Sequence, residues 1–99
     1  MAVKGRQLQL TPLAELDLED IWRYTVEHWS LEQADNYHRD LIGTMEALAR
    51  GKKAGRTCIV RGGYLRYAVG SHVVFYRETD NTIDVIRVLH QRMDIERHL

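Results

Sequence analysis

Between residues 31 and 49, Ala34, Tyr37, Leu41, Ile42, Met45, Leu48 and Ala49 recur at steps of three or four. That step follows the 3.6-residue turn, so the segment is predicted as an amphipathic helix. Ser30-Leu31-Glu32-Gln33 ahead of it is a capping-box pattern: the serine side chain takes the N3 amide and the glutamine reaches back to the cap. An earlier stripe of Ala14, Leu18, Ile21, Trp22, Thr25 and Trp29, with Glu15, Glu19 and Arg23 on another face, predicts a preceding helix. Thr11-Pro12 opens that helix with a capping hydroxyl and a proline whose missing N–H costs nothing at the first position. The junction at Ser30 is so short that the two helices should form an antiparallel hairpin. Trp22 and Trp29, seven apart, are expected to pack beneath it. Leu13, Leu16 and Val26 fall off the stripe and suggest an exposed apolar patch for a partner.

The rest of the chain follows a different period. Arg6 to Leu10 alternates polar and apolar residues as a short strand does. Gly51 ends the second helix, and a basic connector from Lys52 to Arg56 leads into β-rich runs at 64–69, 72–79 and 82–89. Gly70-Ser71 and Asp80-Asn81 separate those runs at two-residue hairpin spacing, with glycine first in one and an asparagine tolerant of positive φ in the other. The expectation is an α+β fold of order β-α-α-β-β-β, an antiparallel sheet with an N-terminal αα-hairpin packed on one face. Without repeats, low-complexity tracts or linkers, residues 1–99 read as a single domain. The last ten residues could add a helical turn or an extended tail.

Charge changes the picture more than composition does. The formal net charge is zero, with 14 Lys+Arg against 14 Asp+Glu, which argues against a protein that holds nucleic acid by bulk phosphate neutralisation. The zero is a cancellation: residues 11–46 carry nine acids against Arg23 and Arg39, whereas 47–77 carry seven bases and no acid. An acid-free stretch of that length suggests a positive face that meets an anionic partner. No apolar run approaches the ~20 residues that span a bilayer, and no apolar segment follows Lys4 and Arg6 as in a secretory signal. With a lone cysteine, Cys58, the reading is a protein of the reducing cytoplasm.

Candidate chemistry narrows to one constellation. His90, Asp94 and His98 stand at i, i+4 and i+8, yet they lack the tight local ligand pair of a zinc site, so neither a metal nor a cofactor is expected. Cys58 sits in apolar Thr57-Cys58-Ile59-Val60 and reads as buried and inert. Gly62-Gly63 lacks a phosphate-loop context and marks a turn. Arg61, Tyr64, Arg66, Tyr67, Tyr76 and Arg77 remain, with His72 nearby and His90 ending the last run. Arginine with tyrosine can bind phosphates and stack on bases, and an imidazole beside them could do acid–base work. The competing reading is half-buried sheet tyrosines with arginines lying over them. Alternation places Leu65, Tyr67 and Val69 on one face and Arg66 on the other.

The chain also resembles ParE-type toxins of the RelE/ParE toxin–antitoxin superfamily. The resemblance lies in Leu10-Thr11-Pro12-Leu13-Ala14, in Asp17 to Thr25, in Gln33 to Tyr37, in Gly55-Arg56, in Tyr67 to Tyr76 and in Ile86 to Asp94. It implies the same β-α-α-β-β-β architecture and neutralisation by a small antitoxin. Within the superfamily, ParE-like members poison DNA gyrase without known covalent chemistry, whereas RelE-like members cut mRNA on the ribosome. By position, Arg66, Arg77 and His90 match RelE-like catalytic places. The sequence departs from that pattern: no acid lies between Glu46 and Glu78, His90 is followed by Gln91, and a lysine-rich surface is missing.

The resemblance and the charge pattern together imply a gyrase-binding toxin with a ParD-like antitoxin and no catalytic residues of its own. Arg61, Arg66, Arg77, His90, Arg92 and Met93 are expected to face the target. Leu13, Leu16, Arg66, Tyr76 and Arg77 are expected to meet the antitoxin. The alternative is a ribosome-dependent endoribonuclease using His90, Arg66 and Arg77.

Overall fold

The computed structural model describes residues 5–59, 61–93 and 95–99. The elements run β1 (Gln7–Leu10), α1 (Pro12–His28), α2 (Leu31–Ala49), β2 (Arg56–Thr57), β3 (Leu65–Val69), β4 (His72–Glu78), β5 (Thr82–His90) and α3 (Ile95–His98).

Both long helices start as their sequences dictate. Thr11 Oγ1 accepts the Ala14 amide at 3.1 Å, and Ser30 Oγ accepts the Gln33 amide at 3.0 Å. Such caps contribute about 1 kcal/mol each by satisfying otherwise orphaned amides. At its other end α2 closes in a Schellman motif: Gly51, at φ 76°, donates to Leu48 O, and Lys52 donates to Ala47 O.

The sheet order is β1-β5-β4-β3-β2. β3, β4 and β5 form the expected antiparallel meander, but β1 joins β5 in parallel, pairing Gln7 with Thr82 through Leu10 with Val85. The sheet is therefore mixed rather than antiparallel. The helical hairpin supplies the crossover that a parallel neighbour requires. β2 adds a two-residue edge strand within the basic connector.

Gly70, at φ 54°, leads the β3–β4 turn as expected. The β4–β5 turn does not use a positive φ at Asn81, because no described residue other than glycine has one. Thr79 Oγ1 instead accepts the amides of Asn81 and Thr82, at 3.2 and 2.9 Å, and its side chain sets the turn.

Two clusters flank the sheet. The larger lies under the hairpin and combines Ala14, Leu18, Leu41, Met45 and Leu48 with Val74, Tyr76, Ile83, Val85 and Val88. The smaller, on the opposite face, joins Cys58, Val73, Phe75 and Leu89 and is covered by Tyr64, Ile95 and Leu99. Cys58 is thus a buried core residue. Trp29 departs from its expected place. It is the C-cap of α1 at φ −131°, outside the helical repeat, and is 68% exposed. Trp22 is half-buried and donates Nε1–H to Asp35 at 2.9 Å, which ties α1 to α2.

Candidate functional site

A register irregularity decides which side chains share a face. β4 and β5 pair His72 with His90, Val74 with Val88 and Phe75 with Arg87, then shift so that Tyr76 pairs with Val85 and Arg77 with Asp84. Ile86 is the extra residue of the resulting bulge, so Val85 and Val88 both reach the hairpin-side core. On the hairpin side stand His72, Val74 and Tyr76. On the other stand Val73, Phe75 and Arg77, with Arg66 beside Phe75.

The basic constellation is assembled on that second face. The Arg66 guanidinium lies 5.7 Å from the Phe75 ring centre, and Arg61 and Arg77 approach the Tyr64 ring at 5.7 and 5.8 Å. Stacking of this kind is worth about 0.5–1 kcal/mol at exposed sites and fixes cations that would otherwise sweep solvent. Asp84 pairs with Arg77 in register, and its Oδ1 is buried without a hydrogen-bond partner. Arg61, Arg77, Arg92 and Met93 are exposed and Arg66 is half-buried.

Two of the sequence-selected residues are elsewhere. Tyr76 is 2% exposed in the hairpin-side core, where its hydroxyl accepts the Gly55 amide at 2.7 Å, so its side chain offers no surface to an antitoxin. Burial pushes its phenol pKa up. His90 is on the hairpin side with His72, so the sheet separates it from Arg66 and Arg77. Because His90 ends a strand, it also lacks the helical spacing to His98; Asp94 lies outside the described residues. Leu13 and Leu16 are exposed on α1, as expected.

His90 belongs to a cluster that the sequence did not single out. Tyr37, from α2, places its hydroxyl 2.6 Å from His72 Nδ1, 3.0 Å from Val69 O and 3.2 Å from the Ser71 amide. One hydroxyl proton can satisfy all three contacts only if Tyr37 donates to Val69 O and accepts from both Ser71 N–H and His72 Nδ1–H. His72 Nε2 is then a free acceptor. The His90 ring stands edge-on, 5.2 Å away, and its Nδ1 accepts the Arg92 amide at 3.1 Å, leaving its Nε2 as the N–H side when neutral. Burial, followed by the repulsion of His90, lowers the His72 pKa from 6.5 to about 4. These groups line a cleft of about 500 Å³ with Tyr24, Trp29, Asn36 and Asp40.

A second unforeseen relationship closes the outer edge of β5, where β1 stops. Thr11 Oγ1 donates to Ile86 O at 2.7 Å, and Asp17 accepts the Val88 amide at 2.9 Å. Asp17 also receives Arg87 Nε and Nη2 at 2.7 and 2.9 Å, while Arg87 Nη1 donates to His98 O at 3.0 Å. The Asp17 bond holds the Arg87 pKa above its usual value. The signal for this pair was Arg87 itself, a lone charge within the apolar run Val85 to Leu89.

Among the described residues, no group of three or more His, Cys, Asp or Glu is placed to hold a metal ion. Nor, among the described residues, is any helix long and apolar enough to cross a membrane. The site is thus a cation-rich sheet face opposite the helical hairpin, with a histidine cleft on the hairpin side where α1 meets α2.

This mixed α+β architecture is shared with solved chains from two toxin–antitoxin systems. It superposes on a chain of the chromosomal ParDE system of P. aeruginosa with a TM-score of 0.77 at 20% identity, covering 87% of this chain and 96% of that one. A chain of the RelBE2 complex of Mycobacterium tuberculosis matches at a TM-score of 0.61 and 19% identity, over 89% and 100%. The family model described as the ParE toxin of the type II toxin–antitoxin system parDE matches residues 8–95, and the chain belongs to that family. It is 46% identical to Toxin ParE1 of M. tuberculosis over 92 residues, 91% of this chain and 94% of the relative. It is 45% identical to Toxin ParE1 of Caulobacter vibrioides, over 92% and 95% of the two chains.

Proposed function

We propose that this ParE-family toxin inhibits DNA gyrase by binding it and is held inactive by a ParD-like antitoxin. The target-facing region is the sheet face bearing Arg61, Arg66 and Arg77, extended by Arg92 and Met93 beyond β5. The antitoxin covers part of the same cations together with Leu13 and Leu16 on α1. Tyr76 is left out of that contact because its side chain is in the core.

The observation that carries a binding rather than a cutting function is the position of His90. In-line RNA cleavage needs a base, an acid and charge stabilisation around one phosphate. Arg66 and Arg77 supply charge on one side of the sheet, and His90 lies on the other, where its partners are His72 and Arg92. Expression without antitoxin, followed by parallel scoring of DNA supercoiling and mRNA integrity in the same cells, tests the reading. Early loss of supercoiling with intact mRNA supports it. Cleaved mRNA with normal supercoiling, abolished by His90→Ala, would establish the endoribonuclease instead.

A further inference from the structure

We propose that the cleft between the end of α1, the start of α2 and the Gly70 turn is a subsite for an arginine side chain of the antitoxin. The inference rests on this toxin being covered by an antitoxin, and it adds a cation-binding point on the side of the sheet opposite the basic face.

Charge comes first. No lysine or arginine lines the cleft, and its only carboxylate, Asp40, has no ion-pair or hydrogen-bond partner among the described residues. Of the nine acids between residues 11 and 46, five are committed: Asp17 to Arg87, Glu19 and Asp20 to Arg23, Asp35 to Trp22 and Glu46 to Arg50. Glu15, Glu27, Glu32 and Asp40 are left against Arg39, whose guanidinium meets Asn36 Oδ1 at 3.5 Å, and the balance is a negative potential over the hairpin that favours a cation and repels an anionic side chain.

The walls match a planar cation. Trp29 is 68% exposed and Tyr24 59%, an unusual display of aromatic surface at one cleft. The Tyr24 ring is held by stacking on His28 at 3.9 Å. A guanidinium over such faces gains cation–π attraction, and it tolerates the accompanying desolvation better than an ammonium does.

Acceptors supply the rest. A guanidinium carries five N–H donors and no acceptor, so its cleft must present lone pairs. Asp40 offers a carboxylate, Gln33 an amide oxygen, and His72 the Nε2 lone pair left free by the Tyr37 arrangement, while Asn36 Oδ1 already accepts from Arg39 Nη1 at 3.5 Å. His72 stays neutral at physiological pH, so its ring does not oppose a cation.

The test is a double-mutant cycle on the intact toxin–antitoxin pair by calorimetry. Each antitoxin arginine and lysine is replaced in turn by glutamine, against wild-type toxin and Asp40→Asn. One arginine should stand out: its loss should cost about tenfold in affinity against wild type and less than about twofold against Asp40→Asn. Trp29→Ala should be coupled to the same arginine. The inference is overturned if Asp40→Asn and Trp29→Ala leave affinity unchanged, if Asp40→Asn tightens binding, or if no antitoxin arginine is coupled to either. Should wild-type toxin fail to bind the antitoxin at all, the antitoxin reading fails separately. The cleft is then tested with N-acetylarginine methylamide and its glutamate counterpart, followed by the imidazole ¹⁵N signals of His72 and His90. Saturable shifts with the arginine compound that vanish in Asp40→Asn support the subsite; no shift, or equal shifts with both compounds, rejects it.

Discussion

Asp17 and Arg87, 70 residues apart, meet through two parallel hydrogen bonds of 2.7 and 2.9 Å, and the same carboxylate takes the Val88 amide. One side chain thus substitutes for the strand missing from the outer edge of β5 while neutralising a cation within it. Because Arg87 also holds His98 O, the pair links α1 to the C-terminal turn that covers the smaller core. Both side chains are largely withdrawn from water, at 12% and 16% exposure, so breaking the pair leaves an uncompensated charge. Asp17→Ala should destabilise the toxin by about 3 kcal/mol in urea unfolding, and Asp17→Ala with Arg87→Met should recover much of that loss. Equal stability of Asp17→Ala and wild type would show that the edge is held by backbone pairing alone.

Gly70 is constrained twice. Its φ of 54° disfavours a side chain, and a Cβ there would come within 2.8 Å of the Tyr37 ring. Gly70→Ala should cost about 1–2 kcal/mol from the backbone conformation alone, with more from displacement of Tyr37. Asparagine tolerates that φ but not the contact. Gly70→Asn should therefore also lower the melting temperature and disturb the His72 signals, and a fully stable Gly70→Asn would remove Tyr37 as the constraint.

The His72 ring makes stability depend on pH in a definite direction. Its folded-state pKa of about 4 lies below the ordinary 6.5, because the ring is buried first and faces His90 second. Above pH 6.5 both folded and unfolded chains hold it neutral. As pH falls from 6.5 to 4, the unfolded chain takes up a proton that the folded chain refuses, and stability is lost across that window. Allowing for the ring's partial exposure, the loss is about 1–2 kcal/mol. Denaturation from pH 7 to 4 should show this slope in wild type and a flatter one in His72→Gln; parallel curves would refute it.

Association with the antitoxin should respond to salt, because Arg66 and Arg77 are held by ring faces rather than by acids and are free to meet carboxylates. Raising ionic strength should slow association, and Arg66→Glu with Arg77→Glu should weaken binding by about tenfold or more. A complex indifferent to both changes would show that the basic face is not part of that contact.

What the sequence made legible is what is local in the chain. The capping hydroxyls of Thr11 and Ser30, the end of α2 at Gly51, the Gly70 turn and the burial of Cys58 all follow from neighbours within a few positions. Long-range decisions were not written there. Whether β1 lies parallel or antiparallel depends on which edge the hairpin returns it to. The face taken by His90 depends on one extra residue at Ile86, which shifts the alternation along β5; the positional match to RelE-like places, which grouped His90 with Arg66 and Arg77, carries no information about that shift. Trp29 escaped the core because α1 stops one residue before it. Tyr76 looked like a partner of Arg77 only while its hydroxyl had no known acceptor role; the Gly55 amide, 21 residues away, gives it one.

We propose that this toxin stops gyrase by binding through its basic sheet face. A supercoiling assay with purified gyrase, relaxed plasmid and ATP measures it directly, with the toxin added as wild type, His90→Ala and Arg66→Glu/Arg77→Glu. Binding through that face predicts dose-dependent inhibition by wild type, retained in His90→Ala and lost in the double arginine variant. Undiminished supercoiling at a large excess of folded, antitoxin-binding wild-type toxin would contradict it.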